Sequence, residues 1–412
     1  MVRSDAFTST VARLALALTV VIGSSALMPA FAQEAVRPEI GKPLQAASAL
    51  LKANRFKEAL AKIHEVDSVP NKTANETYLI ESTRGSAASG AGDNDTIIKS
   101  FEAVIASGKA PAATQLRMVE ALAGAHYRAR DYAATNKWAM RYLREGGTNS
   151  QIRTLLIQSY FQSGDFANSA KESLIDIQAD EKAGRTPSEE KLQLLANSYL
   201  RQKNTSGYIA TIEKLLNYYP KKSLWADVIS RLQKKPGFSD RLALDVYRMQ
   251  LATGNLTASG DYMEMSQLAL QAGFPGEAKK VVDEGYANGA LGKGAEVERQ
   301  KRLKDLVEKR FAENQKALGG AEETAASAAK DGNALVNLGY NFYTSGQTAK
   351  GISLMEAGIK KGGLKRPDDA KLRLGTAMIQ AGQKAKGAQV LKTVQGSDGT
   401  QDLANLWVIF AR

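Results

Sequence analysis

The sequence holds two histidines, His64 and His126, the side chain most used for acid–base and metal-ligand chemistry, and no cysteine. His64 follows Ile63 on a helical stretch and reads as a surface residue. His126 occupies a slot where parallel segments carry Tyr160, Tyr199 or Phe342, so it reads as packing. Without cysteine there is no disulfide, no thiolate metal site and no thiol nucleophile. Ser327 and Lys330 have the S-x-x-K spacing of serine acylases, but the companion S-D-N and K-T-G elements are missing. The glycine-rich GALGKGAE from Gly289 lacks the G-x-x-x-x-G-K-[ST] order and a preceding strand, so it reads as a loop. Carboxylate pairs such as Glu189/Glu190 and Asp368/Asp369 stand where helices begin, and there they complement the helix dipole. These residues predict no catalytic centre, no metal site and no cofactor.

Composition points to helices. Hydrophobic residues make up 43% of the 412, charged residues 24%, and there are only 10 prolines. Ala, Leu, Lys, Glu and Gln are abundant, and no run alternates apolar with polar residues. Two segments near the C-terminus show what the helices do. In LVNLGYNFYTSGQTAKGISLMEAGIKKGG and LRLGTAMIQAGQKAKGAQVLKTV, Gly339 recurs as Gly375, Gly346 as Gly382 and Gly351 as Gly387, each 36 residues on. Glycine inside a helix costs about 1 kcal/mol against alanine, so its placement needs a reason. Gly346 reads as the turn of a helical hairpin. Gly339 and Gly351 then face each other across it, where larger side chains would push the helices apart.

This grammar resembles the tetratricopeptide (TPR) repeat, which has a period near 34 residues and small residues at fixed positions. Looser copies centre on turns at Asn54, Arg130, Gly164 and Gly273, with further copies around Ala196 and in ASGAGDNDTIIKSFEAVIASGKAP and LALDVYRMQLATGN. The resemblance implies an all-α fold, an α-α superhelix (solenoid) of stacked antiparallel helix pairs. It implies this organisation: a signal peptide at 1–32, a short leader at 33–43, a TPR-like solenoid at 44–312, an Ala/Gly-rich connector at 313–332, and a TPR pair with a capping helix at 333–412. The register is least clear between 223 and 261 and between 294 and 331. The apolar tail DLANLWVIFAR is expected to cover the last repeat, because a solenoid end otherwise exposes its core. A docking segment for a partner is the competing reading.

The N-terminus is expected to be removed. Arg3 and Arg13 precede the apolar run Leu14–Met28, and Ala30 and Ala32 suit a signal peptidase acting after Ala32. The run is short for a membrane span. The protein is therefore expected to be periplasmic or secreted, with no membrane span after cleavage. Its formal charge of +12 falls to about +11 when Arg3, Arg13 and Asp5 leave. Such an excess predicts a protein or peptide partner with an acidic surface, or an anionic glycan, and no nucleic acid.

In TPR arrays the first helix of each pair lines a concave groove. Carried over by register, that implies groove contacts from Tyr127, Arg128, Gln158, Phe161, Gln162, Asn197 and Arg201. In the two C-terminal copies it implies Tyr340, Tyr343, Thr344, Thr376, Ile379 and Gln380. Tyr, Arg, Asn and Gln suit peptide recognition by hydrogen bonds and stacking. The expected function is a non-enzymatic scaffold or adaptor of the bacterial cell envelope. A periplasmic solenoid that handles an anionic exopolysaccharide or cell-wall glycan during export is the alternative. No room is left for the catalytic domain of a cell-wall-cleaving enzyme.

Overall fold

One turn recurs along the chain. At Asn54, Gly92, Arg130, Gly164, Lys203, Gly273, Gly346 and Gly382 the backbone is left-handed, with φ between 58° and 95°. The next residue's N–H donates to the carbonyl five residues earlier, as from Asp131 to His126 and Asp165 to Tyr160, both at 2.9 Å. This closes the end of one helix. In four of these turns that same residue then caps the next helix: Asp93, Asp131, Asp165 and Asn204 accept from the backbone N–H three residues on. A left-handed residue followed by Asp or Asn therefore ends one helix and starts its partner. At Asn54, Arg130 and Lys203 that conformation costs about 1 kcal/mol, which hairpin packing offsets.

The computed structural model describes residues 36–318 and 320–412. The expected signal segment, with its cleavage point after Ala32, lies outside the described residues. Among the described residues the secondary structure is helical, with no strand, and no helix is long and apolar enough to cross a membrane. They fall into two compact units, up to residue 179 and from 180 onward.

The first unit holds α1 (Pro38–Lys52), α2 (Phe56–His64), α3 (Ala74–Ala91), α4 (Asn94–Ala106), α5 (Ala112–Arg128), α6 (Tyr132–Arg144), α7 (Ser150–Gln162) and most of α8 (Phe166–Lys182). These are four hairpins. The second unit holds α9 (Glu189–Arg201), α10 (Thr205–Tyr218), α11 (Lys222–Gln233), α12 (Ala243–Ala252), α13 (Ser259–Gln271) and α14 (Pro275–Ala287). It continues with α15 (Val297–Ala317), α16 (Gly320–Ala328), α17 (Asn333–Thr344), α18 (Thr348–Lys361), α19 (Pro367–Gln380), α20 (Lys384–Leu391) and α21 (Thr400–Phe410). The fold is all-α, built of stacked antiparallel helix pairs. LALDVYRMQLATGN supplies α12, which follows α11 through a longer connection with a 3-10 turn at Asp240–Leu242. The Ala-rich stretch forms α16.

Seven residues before each left-handed turn stands a buried residue, nearly always small: Ala47, Gly85, Ala123, Ala196, Ser266, Gly339 and Gly375, with Ile157 the exception. The reason is distance. A Cβ on Gly339 would lie 2.6 Å from the Gly351 carbonyl oxygen, and one on Gly387 would lie 2.6 Å from that of Gly375. A third contact was not foreseen: a Cβ on Gly332 would come within 1.8 Å of the Gly358 oxygen. In the first unit the small residue makes room for a ring instead, since a Cβ on Gly85 would meet Phe101 at 2.2 Å.

The tail packs back on its own unit, and it reaches further than the last repeat. Helix α21 buries Leu403, Ala404, Leu406 and Trp407. Phe410 packs edge-on against Trp225 of α11 with ring centroids 6.1 Å apart. Lys235 pairs with Asp402 at 2.8 Å, and Arg241 bridges Asp369, Asp398 and the Thr400 hydroxyl. The end of the second unit thus returns to helices near its beginning.

Glu213 of α10 lies in this closure. Burial and then Asp402 push its carboxyl up to about 7, with Lys235 opposing. Raised in the folded state, this group favours folding while protonated, and that advantage is lost as pH rises from the usual carboxylate range through 7. Stability of the second unit is expected to fall by about 2–3 kcal/mol across that interval, beyond the trend of Glu213→Gln. Urea midpoints from pH 4.5 to 8 for both proteins test this; parallel curves would refute it.

Candidate functional site

The hairpin register defines equivalent positions. One, four and five residues after the buried residue, the first helix of each pair turns its side chains to a face that runs beside its own partner helix. On α5 and α7 these positions are open. Tyr127, Gln158 and Phe161 are half-buried, and Arg128 and Gln162 are exposed. On α3 the equivalent Ser86 and Ser89 are half-buried as well. Gly124 completes the set on α5, and the Arg128 guanidinium lies 3.3 Å from where its Cβ would be. On α9, in the second unit, Asn197 is half-buried and Arg201 exposed.

Local contacts hold the α5–α7 face in shape. The Tyr127 hydroxyl donates to the Gln158 side chain at 3.2 Å. Arg128 Nε donates to Asn94 at 2.7 Å, and Asn149 donates to Glu120 at 2.6 Å. Tyr127 meets Tyr132 edge-on at 6.0 Å, and Phe161 meets Phe166 the same way at 5.3 Å. Burial raises the Tyr127 hydroxyl pKa, with Tyr132 adding to it, so this group stays a neutral donor. The face offers fixed donors, acceptors and two ring surfaces.

On α17 and α19 the expectation fails. Tyr340, Tyr343, Thr344, Thr376 and Ile379 are buried, and only Gln380 is exposed, its side-chain oxygen taken by the Tyr343 hydroxyl at 3.0 Å. Over α17 the covering element is α14. A Cβ on Gly276 would lie 2.9 Å from the Thr344 backbone, and Glu277 accepts from the Tyr340 hydroxyl at 3.0 Å. Register says which way a side chain turns; it does not say what lies against it.

Beneath that cover is an ionic cluster that sequence reasoning missed. Arg248 of α12 is 5% exposed and forms two hydrogen bonds of 2.7 Å to Glu277 and one of 2.6 Å to Asp245. Burial opposes its charge, but Glu277, Tyr340 and Asp245 more than offset that and push its pKa up. Arg373 stacks on Phe274 with 4.8 Å from guanidinium to ring centroid and donates to Asn337 at 3.0 Å. Burial, then Glu277, pushes the Tyr343 hydroxyl up to about 12. The one available signal was an Asp–Arg pair three residues apart in ALDVYRMQLA and a glutamate in the first turn of α14. Arg248, Glu277 and Asp245 pair with one another, which makes the cluster a structural centre.

Both histidines stand beside carboxylates. His64 is exposed and bonds Asp67 at 2.8 Å. His126 is buried between Glu102 and Asp131, 3.6 and 3.4 Å from opposite ring nitrogens, so the two carboxylates do not converge on one point. Among the described residues no group of three His, Asp or Glu is arranged to hold a metal. A cleft of about 660 Å³ in the second unit is lined by Leu251, Leu256, Tyr262, Glu284, Asn288 and Lys293. Its Asn288 already donates to the Tyr262 hydroxyl at 2.7 Å.

No protein-family model and no curated protein matches the chain. Solved structures do. The C-terminal part of a TPR repeat-containing protein from Cytophaga hutchinsonii is 13% identical over 62% of this chain and 98% of that one, with a TM-score of 0.32. A maize pentatricopeptide repeat protein is 10% identical over 88% and 60%, with a TM-score of 0.29. Yeast Tom70 is 11% identical over 89% and 94%, with a TM-score of 0.23. The TPR-like fold of this chain rests on its own constant hairpin register.

Proposed function

We propose that this chain is a non-enzymatic scaffold that holds a protein or peptide segment on the α3–α5–α7 face of its first unit. The observation behind this is the contrast between equivalent positions: accessible on α3, α5 and α7, buried on α17 and α19. A surface held in shape before binding avoids the cost of ordering loops. The site of action is the bacterial periplasm, reached after cleavage behind Ala32. That part rests on the charged, apolar and small-residue pattern of the first 32 residues.

Immobilised mature chain should retain protein prey from an envelope extract, and Phe161→Ala with Gln158→Ala should lose most of it. Gln380→Ala should not, because its face is covered. Single substitutions at the aromatic positions are expected to weaken binding by about 1–2 kcal/mol, roughly tenfold. Prey that ignores both first-unit substitutions would sink the proposal. So would a column that retains only acidic polysaccharide. N-terminal sequencing of the exported chain tests the cleavage point.

A further inference from the structure

The positive charge is unevenly spread. From Ser345 to Gly396 there are ten Lys or Arg against three Asp or Glu, so this stretch holds seven of the formal +12 charges. It supplies α18, α19 and α20 of the second unit. Three of its cations are engaged. Lys350 pairs with Glu323 at 2.7 Å, Lys371 pairs with Asp368 at 3.1 Å, and Arg373 stacks on Phe274. The other seven are exposed.

Most of the exposed cations meet along one edge. Lys360 and Lys361 end α18, Lys365 and Arg366 lie in the connection to α19, and Lys392 follows α20. Backbone and side-chain contacts gather these ends with that of α16. Lys361 Nζ donates to the Ser327 carbonyl at 2.5 Å, the Gly332 N–H to that of Gly362 at 2.8 Å, and Lys371 Nζ to that of Thr393 at 3.2 Å. The exposed Lys330 joins the edge from the α16 side. Of the nearby carboxylates, Asp331 accepts from Asn333, Asp368 holds Lys371, and Asp369 is turned to Arg241.

Helix stability explains only part of this edge. Lysines suit the negative C-terminal ends of α18 and α20. Lys365 and Arg366 instead precede the positive N-terminal end of α19, where a cation is unfavourable. The fold does not ask for them there.

Composition then selects among polyanions. From Ser345 to Asp398 there is no Phe, Tyr or Trp, so nucleobases and sugar rings find no ring to stack on. The exposed large hydrophobic side chains are Met140, Ile175, Leu200, Val297 and Leu306, and none belongs to this stretch. A basic patch alone is one signal where stable membrane attachment takes two. Lysine ammoniums on flexible stems are point charges that accept carboxylates in varied geometry, as a row of Asp or Glu side chains presents them.

We infer that this lysine-rich edge of the second unit binds an acidic polypeptide segment, a run of Asp or Glu on a partner protein. It is a second contact, and it does not rest on the binding role proposed for the first unit.

Fluorescence anisotropy on the mature chain tests it with a labelled peptide of five Glu-Gly-Ser repeats and its Gln-Gly-Ser counterpart. The Glu peptide should bind about tenfold more tightly than the Gln peptide, and weaken about tenfold between 50 and 300 mM salt. Lys360→Gln, Lys365→Gln, Arg366→Gln and Lys392→Gln combined should lower its affinity about tenfold, with helicity by circular dichroism unchanged. Lys360→Arg, Lys365→Arg and Lys392→Arg combined should keep it. Lys57→Gln, Lys99→Gln, Lys109→Gln and Lys171→Gln remove the same charge from exposed positions of the first unit, and together should cost less than about twofold. If that control weakens binding as much, net charge and not the edge holds the peptide, and the inference fails. It fails too if the Glu peptide is not bound. Tighter binding of polygalacturonate, or of phosphatidylglycerol vesicles, through the same four residues would overturn the polypeptide in favour of a glycan or a lipid surface.

Discussion

Gly351→Ala is expected to cost about 3 kcal/mol or more, enough to open the α17–α18 hairpin. The added Cβ would lie 2.5 Å from the Tyr343 backbone nitrogen and 2.6 Å from the Gly339 carbonyl oxygen. Both are main-chain atoms, so no rotamer change relieves the clash and the two helices must separate. Separation would loosen Val336, Tyr340 and Met355, all buried in the second unit's core. Adding Gly339→Ala to Gly351→Ala should cost much less than it costs alone, because the hairpin is already open. Gly260→Ala is the control. Nothing lies within 4 Å of its would-be Cβ, and it sits in the first turn of α13. That change should stabilise by up to about 1 kcal/mol. Urea unfolding followed by helicity measures all of them. A Gly351→Ala midpoint close to wild type would show that the helices are not in backbone contact.

Glu277→Ala is expected to destabilise the second unit by about 3–5 kcal/mol. It removes the two 2.7 Å hydrogen bonds to a 5%-exposed arginine and the acceptor of the Tyr340 hydroxyl. Asp245 remains, at 2.6 Å, and holds one edge of the guanidinium. The double variant Arg248→Met with Glu277→Leu should recover most of the loss, since the larger part is the stranding of a buried charge. Tyr340→Phe leaves the ion pair intact and should cost only about 1 kcal/mol. A Glu277→Ala cost below about 1 kcal/mol would mean that water reaches Arg248 and that the cluster is not a dry core.

These two substitutions differ in how visible their targets are before folding is known. The glycines announce themselves, because a residue type that weakens a helix recurs at a fixed offset from a turn residue. Gly332 and Gly358 obey the same logic, yet neither recurs 36 residues on, where Asp368 and Val394 stand, and they pass unnoticed. Arg248 and Glu277 carry almost no sequence signal, since an Asp–Arg pair three residues apart on a helix is commonplace and Glu277 lies 29 residues away. For the binding face the same contrast holds. Which way Tyr127, Phe161, Tyr340 and Thr376 turn follows from register. That α14 lies on Tyr340 and Thr344, while Tyr127 and Phe161 remain open, does not.

The amino-acid sequence by itself determined the unit of construction: a helix, a left-handed turn, a second helix, and a small residue where the two meet. Each of these is a matter of backbone sterics and contacts within one hairpin, over at most a few tens of residues. Tertiary structure alone decided how the hairpins of the second unit stack, that its tail returns to Trp225, Lys235 and Arg241, and that the equivalent positions on α17 and α19 are buried. Those outcomes depend on small rotations summed over successive repeats and on pairs such as Lys235 and Asp402, 167 residues apart. No local pattern encodes that sum, because a slight change in one hairpin's tilt redirects everything after it.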